Sequence, residues 1–258
     1  MDIFEAIILG IIQGLTEFLP VSSSGHLEIV KVLFNNNTLK QESLLTTVVL
    51  HAATALSTIF VFKKDIFLLF KEMKKNIYFI FKIIISMIPA ILIGFFLEEK
   101  IEAFFSGQLL LVGLMLIITG ILLWISDKIK HSNNQLTFLN ALIIGVVQAI
   151  AILPGISRSG ATISTSVLLG IDKEYSARFS FLMVIPLIFG VMIKKILSPE
   201  FVLENDILMP LSIGFISAFL TGVIACKWMI QLVKQSQLKY FAIYCFCIAG
   251  IIFISYIV

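Results

Sequence analysis

Charge is scarce in this chain of 258 residues, of which only 14% are Asp, Glu, Lys or Arg. An average soluble domain carries about 25%, and a disordered segment combines high charge with low hydrophobicity. Hydrophobic residues make up 59% of the sequence, which is more than a soluble domain of this length can hide from water. Both classes are therefore excluded, and the composition indicates an integral membrane protein.

Cysteine is also rare, with three residues in the apolar C-terminal stretches, Cys226, Cys245 and Cys247. Their spacing fits neither a metal site nor a disulfide framework, so we expect them to be small packing residues. The net charge of +3 comes from lysines beside apolar runs. That pattern is typical of a membrane protein and argues against nucleic-acid binding.

The apolar runs are long and continuous, which favours membrane-spanning helices over the alternating strands of a barrel. Six runs reach the ~20 residues that a spanning helix needs. They cover residues 44–62, 77–97, 107–126, 177–195, 207–229 and 239–258. Lysines between Lys63 and Lys75 predict a cytoplasmic loop after the first run, whereas the acidic segments 98–102 and 198–206 are expected outside.

Two further apolar regions are interrupted by proline, glycine and serine. One runs from Ala6 to about Phe34 and is broken at 19–26, and the other runs from Asn140 to about Leu169 and is broken at 153–160. Each half is too short to cross a bilayer, because proline and glycine end the first helix. The pattern predicts two re-entrant helical hairpins, which membranes tolerate where the backbone is buried in protein or lines a cavity.

The two interrupted regions match each other at a single offset without a gap. The offset that places Gln13 on Gln148 also aligns other identical residues, among them Ala6 with Ala141, Ile8 with Ile143, Gly10 with Gly145, Ser22 with Ser157, Ser24 with Ser159 and Gly25 with Gly160. Each repeat, about 1–126 and about 139–258, then contains one hairpin and three spans. Because three is odd, the second repeat must be inverted, with the site near the midplane.

The sequence therefore predicts an all-α integral membrane protein with residues 1–258 in a single membrane domain. Its inverted-topology repeat contains six transmembrane helices plus two re-entrant helical hairpins. The lysine placement makes the first hairpin enter from outside and the second from inside.

Glu17 lies in an apolar run, where a charged group is costly and indicates function. Gln13 is one turn earlier on the same helix face, and the two side chains together can offer oxygens to a hard divalent cation. The alternative is a structural pair in which a protonated Glu17 is hydrogen-bonded to Gln13.

The serine-rich break Ser22-Ser23-Ser24-Gly25 offers backbone N–H groups and hydroxyls to an anion. His26 follows directly and can act as a base or a nucleophile. The alternative is a helix cap beside a histidine with satisfied hydrogen bonds.

Arginine occurs only twice, at Arg158 and Arg178, whereas every other cation is lysine. A planar guanidinium binds phosphate or carboxylate oxygens bidentately, which lysine cannot do. Arg158 lies at the second break, where it is either a phosphate ligand or a structural partner of Glu17. Arg178 is expected at the start of the next span, as a ligand or as a side chain that snorkels to the interface.

The two repeats differ at the residues that carry chemistry. Glu17 and His26 are replaced by Ile152 and Ala161 in the second repeat, which alone supplies the arginine. This division suits an enzyme with a catalyst and a phosphate clamp, although inverted repeats are also a transporter architecture. A transporter or lipid flippase is therefore the alternative, and the role of His51 is open.

Three segments resemble signatures of one family. Residues 13–26, QGLTEFLPVSSSGH, closely resemble the first signature of the bacitracin-resistance family of undecaprenyl-diphosphatases. Residues 154–162, PGISRSGAT, resemble its second, and residues 177–181, ARFSF, look like a third. The family has Glu or Gln at the place of Gln13, so this chain has the variant with one fewer carboxylate.

The resemblance implies an enzyme of the bacterial plasma membrane that removes the terminal phosphate of undecaprenyl diphosphate and regenerates the cell-wall carrier lipid. It implies Mg²⁺ or Ca²⁺ and a site open to the outer face. Glu17 and Gln13 then belong to the metal and acid–base group, His26 is base or nucleophile, and Ser22 and Ser23 line the site. The groups expected to hold the diphosphate are Arg158, Ser24, Ser157, Ser159, Thr162 and Arg178. The attacking group (water, His or Ser), the choice of cation, lipid flipping and a homodimer stay open.

Overall fold

Helices are the only regular elements in the part of the chain that the computed structural model describes, namely residues 2–33, 39–97, 104, 108–129, 133–197 and 208–256. Eleven helices occur in these residues: α1 Ile3–Phe18, α2 Ser23–Leu33, α3 Leu39–Val61, α4 Lys63–Lys71, α5 Met73–Phe96, α6 Leu109–Asp127, α7 Phe138–Ile150, α8 Arg158–Leu168, α9 Lys173–Ile196, α10 Leu208–Lys234 and α11 Leu238–Ser255. The predicted all-α class is confirmed.

Five helices are long and apolar enough to cross a membrane, namely α5, α6, α9, α10 and α11. They cover five of the six predicted runs, so the chain is a multi-pass membrane protein. The helix ends differ from the prediction, since α5 begins at Met73 and α10 continues to Lys234. Lysines extend these helices because their aliphatic stems follow the apolar surface while the ammonium groups reach water.

The first predicted run, 44–62, lies mostly within α3, but the chain bends by 69° before α4. The segment expected to be a loop from Lys63 onward is instead helical, because α4 forms there, and its cytoplasmic side stays a prediction. The charged residues of α4 stand at the two ends, Lys63-Lys64-Asp65 and Lys71, and the apolar residues 66–70, which include Phe67 and Phe70, lie between them. A sixth span exists only if α3 and α4 are counted as one bent span. The acidic segments 98–102 and 198–206 lie outside the described residues.

Both predicted interruptions are present as breaks between helices. The first separates α1 from α2 at residues 19–22, and the second separates α7 from α8 at residues 151–157. Positive backbone φ angles make the turns, +71° at Ser22 and +98° at Gly155. The Ser22 hydroxyl accepts a hydrogen bond from the Gly25 N–H, and the Ser157 hydroxyl accepts one from the Gly160 N–H. Serine therefore caps the second helix of each pair.

Glycine lets the first helix of each pair approach a neighbouring helix closely. A methyl group added to Gly10 would overlap the Gly214 backbone of α10, and one added to Gly145 would overlap the Ser86 backbone of α5. The two contacts join equivalent helices of the predicted repeats. The inversion of the second repeat across the membrane stays a prediction.

Aromatic packing fixes the end of α1 next to Glu17. Phe18 is buried and meets the edge of Phe181 on α9, with ring centroids 5.6 Å apart. Phe62, at the bend after α3, packs on the same Phe181 at 6.1 Å. These three rings hold α1, α3 and α9 together beside the first break.

Candidate active site

Glu17 lies at the centre of a buried polar cluster, with 5% of its side chain exposed. The Gln13 amide donates to its Oε2 at 3.1 Å, and the Ser23 hydroxyl donates to the same oxygen at 2.9 Å. Gln13 precedes Glu17 by one turn of α1, and Ser23 begins α2 after the break. The hairpin therefore folds its serine-rich turn back onto the carboxylate.

Arg158 comes from the other hairpin and forms an ion pair and hydrogen bond with Glu17 Oε1. It is the first residue of α8, directly after the capping Ser157, and 22% of its side chain is exposed. The pair joins the two breaks, because Glu17 belongs to the first hairpin and Arg158 to the second. Arg158 is therefore paired with Glu17, which is one of the two roles that the sequence left open. Its exposed part is still accessible to an anion.

His51, on α3, also lies close to Glu17. Its Nε2 is 3.9 Å from Glu17 Oε2, and its Nδ1 is 2.8 Å from the Thr47 carbonyl oxygen. The sequence left open whether this histidine faces a cavity or only a neighbouring helix. The structure directs its ring toward Glu17.

His26 has different partners from those of Glu17. Its Nδ1 is 2.8 Å from the Ser22 carbonyl oxygen, and its Nε2 is 2.7 Å from the Tyr244 hydroxyl. The hydroxyls of Ser22 and Ser24 are 3.3 Å apart in the same turn. His26 is therefore a hydrogen-bonded group at the start of α2 rather than a free imidazole.

The second break has a matching arrangement of hydroxyls. Ser157 and Ser159 have their hydroxyl oxygens 3.2 Å apart, and both residues are buried. The Thr162 hydroxyl donates to the Arg158 carbonyl oxygen at 2.8 Å and is also 2.7 Å from the Ser180 hydroxyl of α9. These contacts fix the first turn of α8, which carries Arg158.

Arg178 has another partner than the cluster around Glu17. Its guanidinium is 3.2 Å from Asp65 of α4, and 47% of its side chain is exposed. Because α9 begins at Lys173, Arg178 lies more than one turn inside the helix. The structure thus brings Glu17, Gln13, Ser23 and Arg158 together and places Arg178 at the link between α9 and α4.

Three site residues were missed by sequence reasoning. Tyr244 contacts His26, Ser180 contacts Thr162, and Thr119 of α6 accepts from the Ser157 N–H at 3.0 Å. A polar Thr119 inside an apolar span and Ser180 inside the segment 177–181 were available signals. Tyr244 gave none, because tyrosine is common near membrane interfaces.

The side-chain oxygens of Glu17 and Gln13 fit a cation that the substrate also binds. Gln13 Oε1 is buried and accepts no hydrogen bond from the described residues. No group of three or more His, Cys, Asp or Glu side chains suited to a metal occurs in the part of the chain described. Mg²⁺ often takes one or two carboxylates together with substrate phosphates, so Glu17 and Gln13 fit a cation whose shell is completed by a diphosphate, not an all-protein cage.

Comparisons with known proteins agree over nearly the whole chain. Residues 6–252 match the family model of the bacitracin resistance protein BacA. The undecaprenyl-diphosphatase of Christiangramia forsetii is 59% identical over 260 residues, covering 98% of each chain. The undecaprenyl-diphosphatase of Bacteroides fragilis is 46% identical, covering 98% of this chain and 97% of its own. That of Methanococcus vannielii is 42% identical, covering 98% of this chain and 100% of its own.

Proposed function

The chain belongs to the BacA family of bacitracin resistance proteins, and on that premise we propose that it is an undecaprenyl-diphosphatase. It hydrolyses undecaprenyl diphosphate to undecaprenyl phosphate and inorganic phosphate. The product is the carrier lipid of cell-wall synthesis, and its recycling confers bacitracin resistance. The transporter or flippase alternative is not favoured, since the relatives reported above are named for hydrolysis.

The single observation that carries the site is the pair between Glu17 and Arg158. One hairpin supplies an acid–base group and the other a phosphate ligand, at the N-terminus of a helix. Helix N-termini and arginine both attract phosphate oxygens. A phosphatase needs this combination in a site that limits the access of water.

We propose that the bound diphosphate replaces Glu17 as the partner of the Arg158 guanidinium. The N-termini of α2 and α8 and the hydroxyls of Ser24, Ser157 and Ser159 hold the remaining phosphate oxygens. Once its ion pair with Arg158 is broken, the Glu17 carboxylate acts as a base beside the bound phosphate. Arg158 then stabilises the charge that develops on the phosphoryl oxygens, the largest contribution that an enzyme makes to this type of transfer.

Glu17 accepts a proton from the attacking oxygen, which belongs to a water molecule or to the Ser23 hydroxyl. As this oxygen bonds to the terminal phosphorus, the bond from that phosphorus to the bridging oxygen breaks and undecaprenyl phosphate leaves. Ser23 already donates to Glu17 at 2.9 Å, a distance at which proton transfer is direct. His26, one turn into α2, serves as the second proton-transfer group. If Ser23 attacks, water must release the phosphate from it in a second step.

A divalent cation, Mg²⁺ or Ca²⁺, would be held by Glu17 and Gln13. It would neutralise charge on the diphosphate. This proposal is supported by Gln13 Oε1, which is buried and has no hydrogen-bond partner among the described residues.

We propose that the site opens to the outer face of the bacterial plasma membrane, with the hairpins re-entrant and the repeats inverted. The equivalent close contacts of Gly10 and Gly145 support the repeat. The equivalent caps at Ser22 and Ser157 support it as well. The prenyl tail would lie along apolar helix faces while the head group reaches the breaks.

The test is phosphate release from undecaprenyl diphosphate by the purified protein in detergent, with Mg²⁺, Ca²⁺ or a chelator. The proposal predicts multiple turnovers with a cation and loss of turnover with the chelator. A parallel measurement in vesicles would follow movement of the lipid between leaflets. Lipid movement without phosphate release would overturn the enzyme proposal in favour of the flippase.

A further inference from the structure

Both ring nitrogens of His26 have hydrogen-bond partners, and the partner of Nε2 lies far away in the sequence. Nε2 is 2.7 Å from the hydroxyl of Tyr244 on α11, which is 218 residues later. The two rings are stacked, with centroids 5.6 Å apart and planes inclined by 13°. A helix from the second repeat thus reaches the first break at the imidazole.

These contacts fix which nitrogen carries the proton. The Ser22 carbonyl oxygen, 2.8 Å from Nδ1, can only accept, so Nδ1 must bear the hydrogen. In the neutral ring Nε2 then has the lone pair, and the Tyr244 hydroxyl must be its donor. The same argument gives His51 an Nδ1 proton, since its Nδ1 is 2.8 Å from the Thr47 carbonyl oxygen.

We infer that Tyr244 is a positioning residue for the reaction, whose hydroxyl bonds the Nε2 lone pair of His26 and holds the ring in a fixed plane. The inference rests on the proposed function for its kinetic consequence and on the hydrogen bonds alone for the orientation of the ring. The Ser22 carbonyl oxygen sets the tautomer and the Tyr244 hydroxyl fixes the direction of the Nε2 lone pair, so that His26 is oriented to accept a proton.

Packing does not explain the placement of the Tyr244 hydroxyl. The Tyr244 residue is 41% exposed, whereas the adjacent Cys245 is fully buried and contacts the Pro20 carbonyl oxygen at 3.7 Å. Cys245 therefore provides the close contact between α11 and the first break. The hydroxyl of Tyr244 can be removed without opening a cavity.

The position of Tyr244 has a kinetic consequence. Its hydroxyl donates to the Nε2 lone pair until a water O–H displaces it, so it orients His26 without adding a contact to the bound diphosphate. Loss of the hydroxyl should lower kcat and leave KM nearly unchanged. A residue that only stabilised the fold would instead lower the amount of active protein and the melting temperature.

The first experiment observes the histidine ring nitrogens by NMR on ¹⁵N-histidine-labelled protein in detergent at a pH of about 8, where an unperturbed imidazole is neutral. The chain has three histidines, and His26→Gln assigns the signals of His26. Wild type should show a protonated Nδ1 and an unprotonated Nε2 for His26. In Tyr244→Phe the Nε2 signal of His26 should move to the position of a nitrogen that has lost its hydrogen-bond donor, while Nδ1 stays protonated through Ser22 and the signals of His51 stay in place.

The second experiment compares phosphate release by wild type, Tyr244→Phe and the matched control Tyr240→Phe. Tyr240 lies one turn earlier on α11 and is 59% exposed. We expect Tyr244→Phe to lower kcat about tenfold, as loss of a group that orients a reactive side chain does, with KM within about twofold of wild type. Tyr240→Phe should match wild type in both constants.

Unshifted His26 signals in Tyr244→Phe, or a kcat equal to that of wild type, would overturn the inference. The NMR measurement needs no turnover, so the two proposals fail separately. Shifted signals in a protein whose wild type releases no phosphate would reject the phosphatase and keep Tyr244 as the residue that orients His26. An active wild type with an unchanged Tyr244→Phe would reject the role of Tyr244 alone.

Discussion

Glu17 and Arg158 form an ion pair although 141 residues separate them in the chain, with Glu17 buried and Arg158 partly buried. Each lies at a helix break in an otherwise apolar region, and the pair connects the two breaks. Removing one member of such a pair leaves an uncompensated charge, which costs about 3–5 kcal/mol. The pair therefore contributes to stability in the resting protein as well as to the proposed reaction.

The two contributions can be separated with neutral variants. Glu17→Gln and Arg158→Gln should each lower the free energy of unfolding by about 3–5 kcal/mol. The double variant should recover most of that loss, because no charge is left unpaired, yet it should release no phosphate. Unfolding in detergent and phosphate release measure the two effects. A double variant whose destabilisation equals the sum of the singles would contradict the coupling.

The proposed cation predicts a specific role for Gln13. Gln13→Leu removes the side-chain oxygen proposed to bind the cation and should raise the Mg²⁺ concentration for half-maximal phosphate release about tenfold or more. Gln148→Leu is the matched control, because Gln148 is the equivalent buried glutamine of the second hairpin. Equal Mg²⁺ titrations for both variants would remove Gln13 from the cation site.

Close packing at the two equivalent glycines predicts a stability effect far from the chemistry. Gly10→Ala and Gly145→Ala should each lower the free energy of unfolding by about 1–3 kcal/mol, because the added methyl meets backbone that cannot move aside. Gly94→Ala should have little effect, since none of the described residues lies within 4 Å of a methyl there. If all three variants melted together, the packing of α1 on α10 and of α7 on α5 would be looser than described.

Orientation in the membrane can be tested by thiol labelling in a background without the three native cysteines. Lys75→Cys, after α4, should be protected from a membrane-impermeant reagent in intact cells and labelled after permeabilisation. Gln108→Cys, before α6, should be labelled in intact cells. Reversed labelling at both positions would place the lysine-rich segment outside and invert the proposed topology.

Much of the fold follows from simple patterns in the sequence. Hydropathy located five of the spanning helices, and proline with serine and glycine located both breaks. The bend after α3 was missed because Lys63 and Lys64 look like the start of a loop. The apolar residues that follow, among them Phe67 and Phe70, are compatible with a helix. A segment of nine residues is too short for its sequence pattern to distinguish a loop from a helix.

The site was predictable where isolated polar residues stand in apolar runs. Glu17, Gln13 and Arg158 are of this kind, and the structure brings them together. Tyr244 was not predictable, because its contact with His26 depends on how α11 packs against the first break. The partner of Arg178 was missed for a similar reason, since Asp65 approaches it only because α4 forms.

The central claim is that Arg158, held by Glu17 in the resting protein, binds the diphosphate as a planar fork. The most direct measurement is the rate of phosphate release from undecaprenyl diphosphate by purified wild type and Arg158→Lys, with Lys128→Arg as the control for an exposed residue. Lysine keeps the charge but not the bidentate geometry, so the rate should fall about 100-fold or more, and Lys128→Arg should match wild type. An Arg158→Lys variant as fast as wild type would contradict the account.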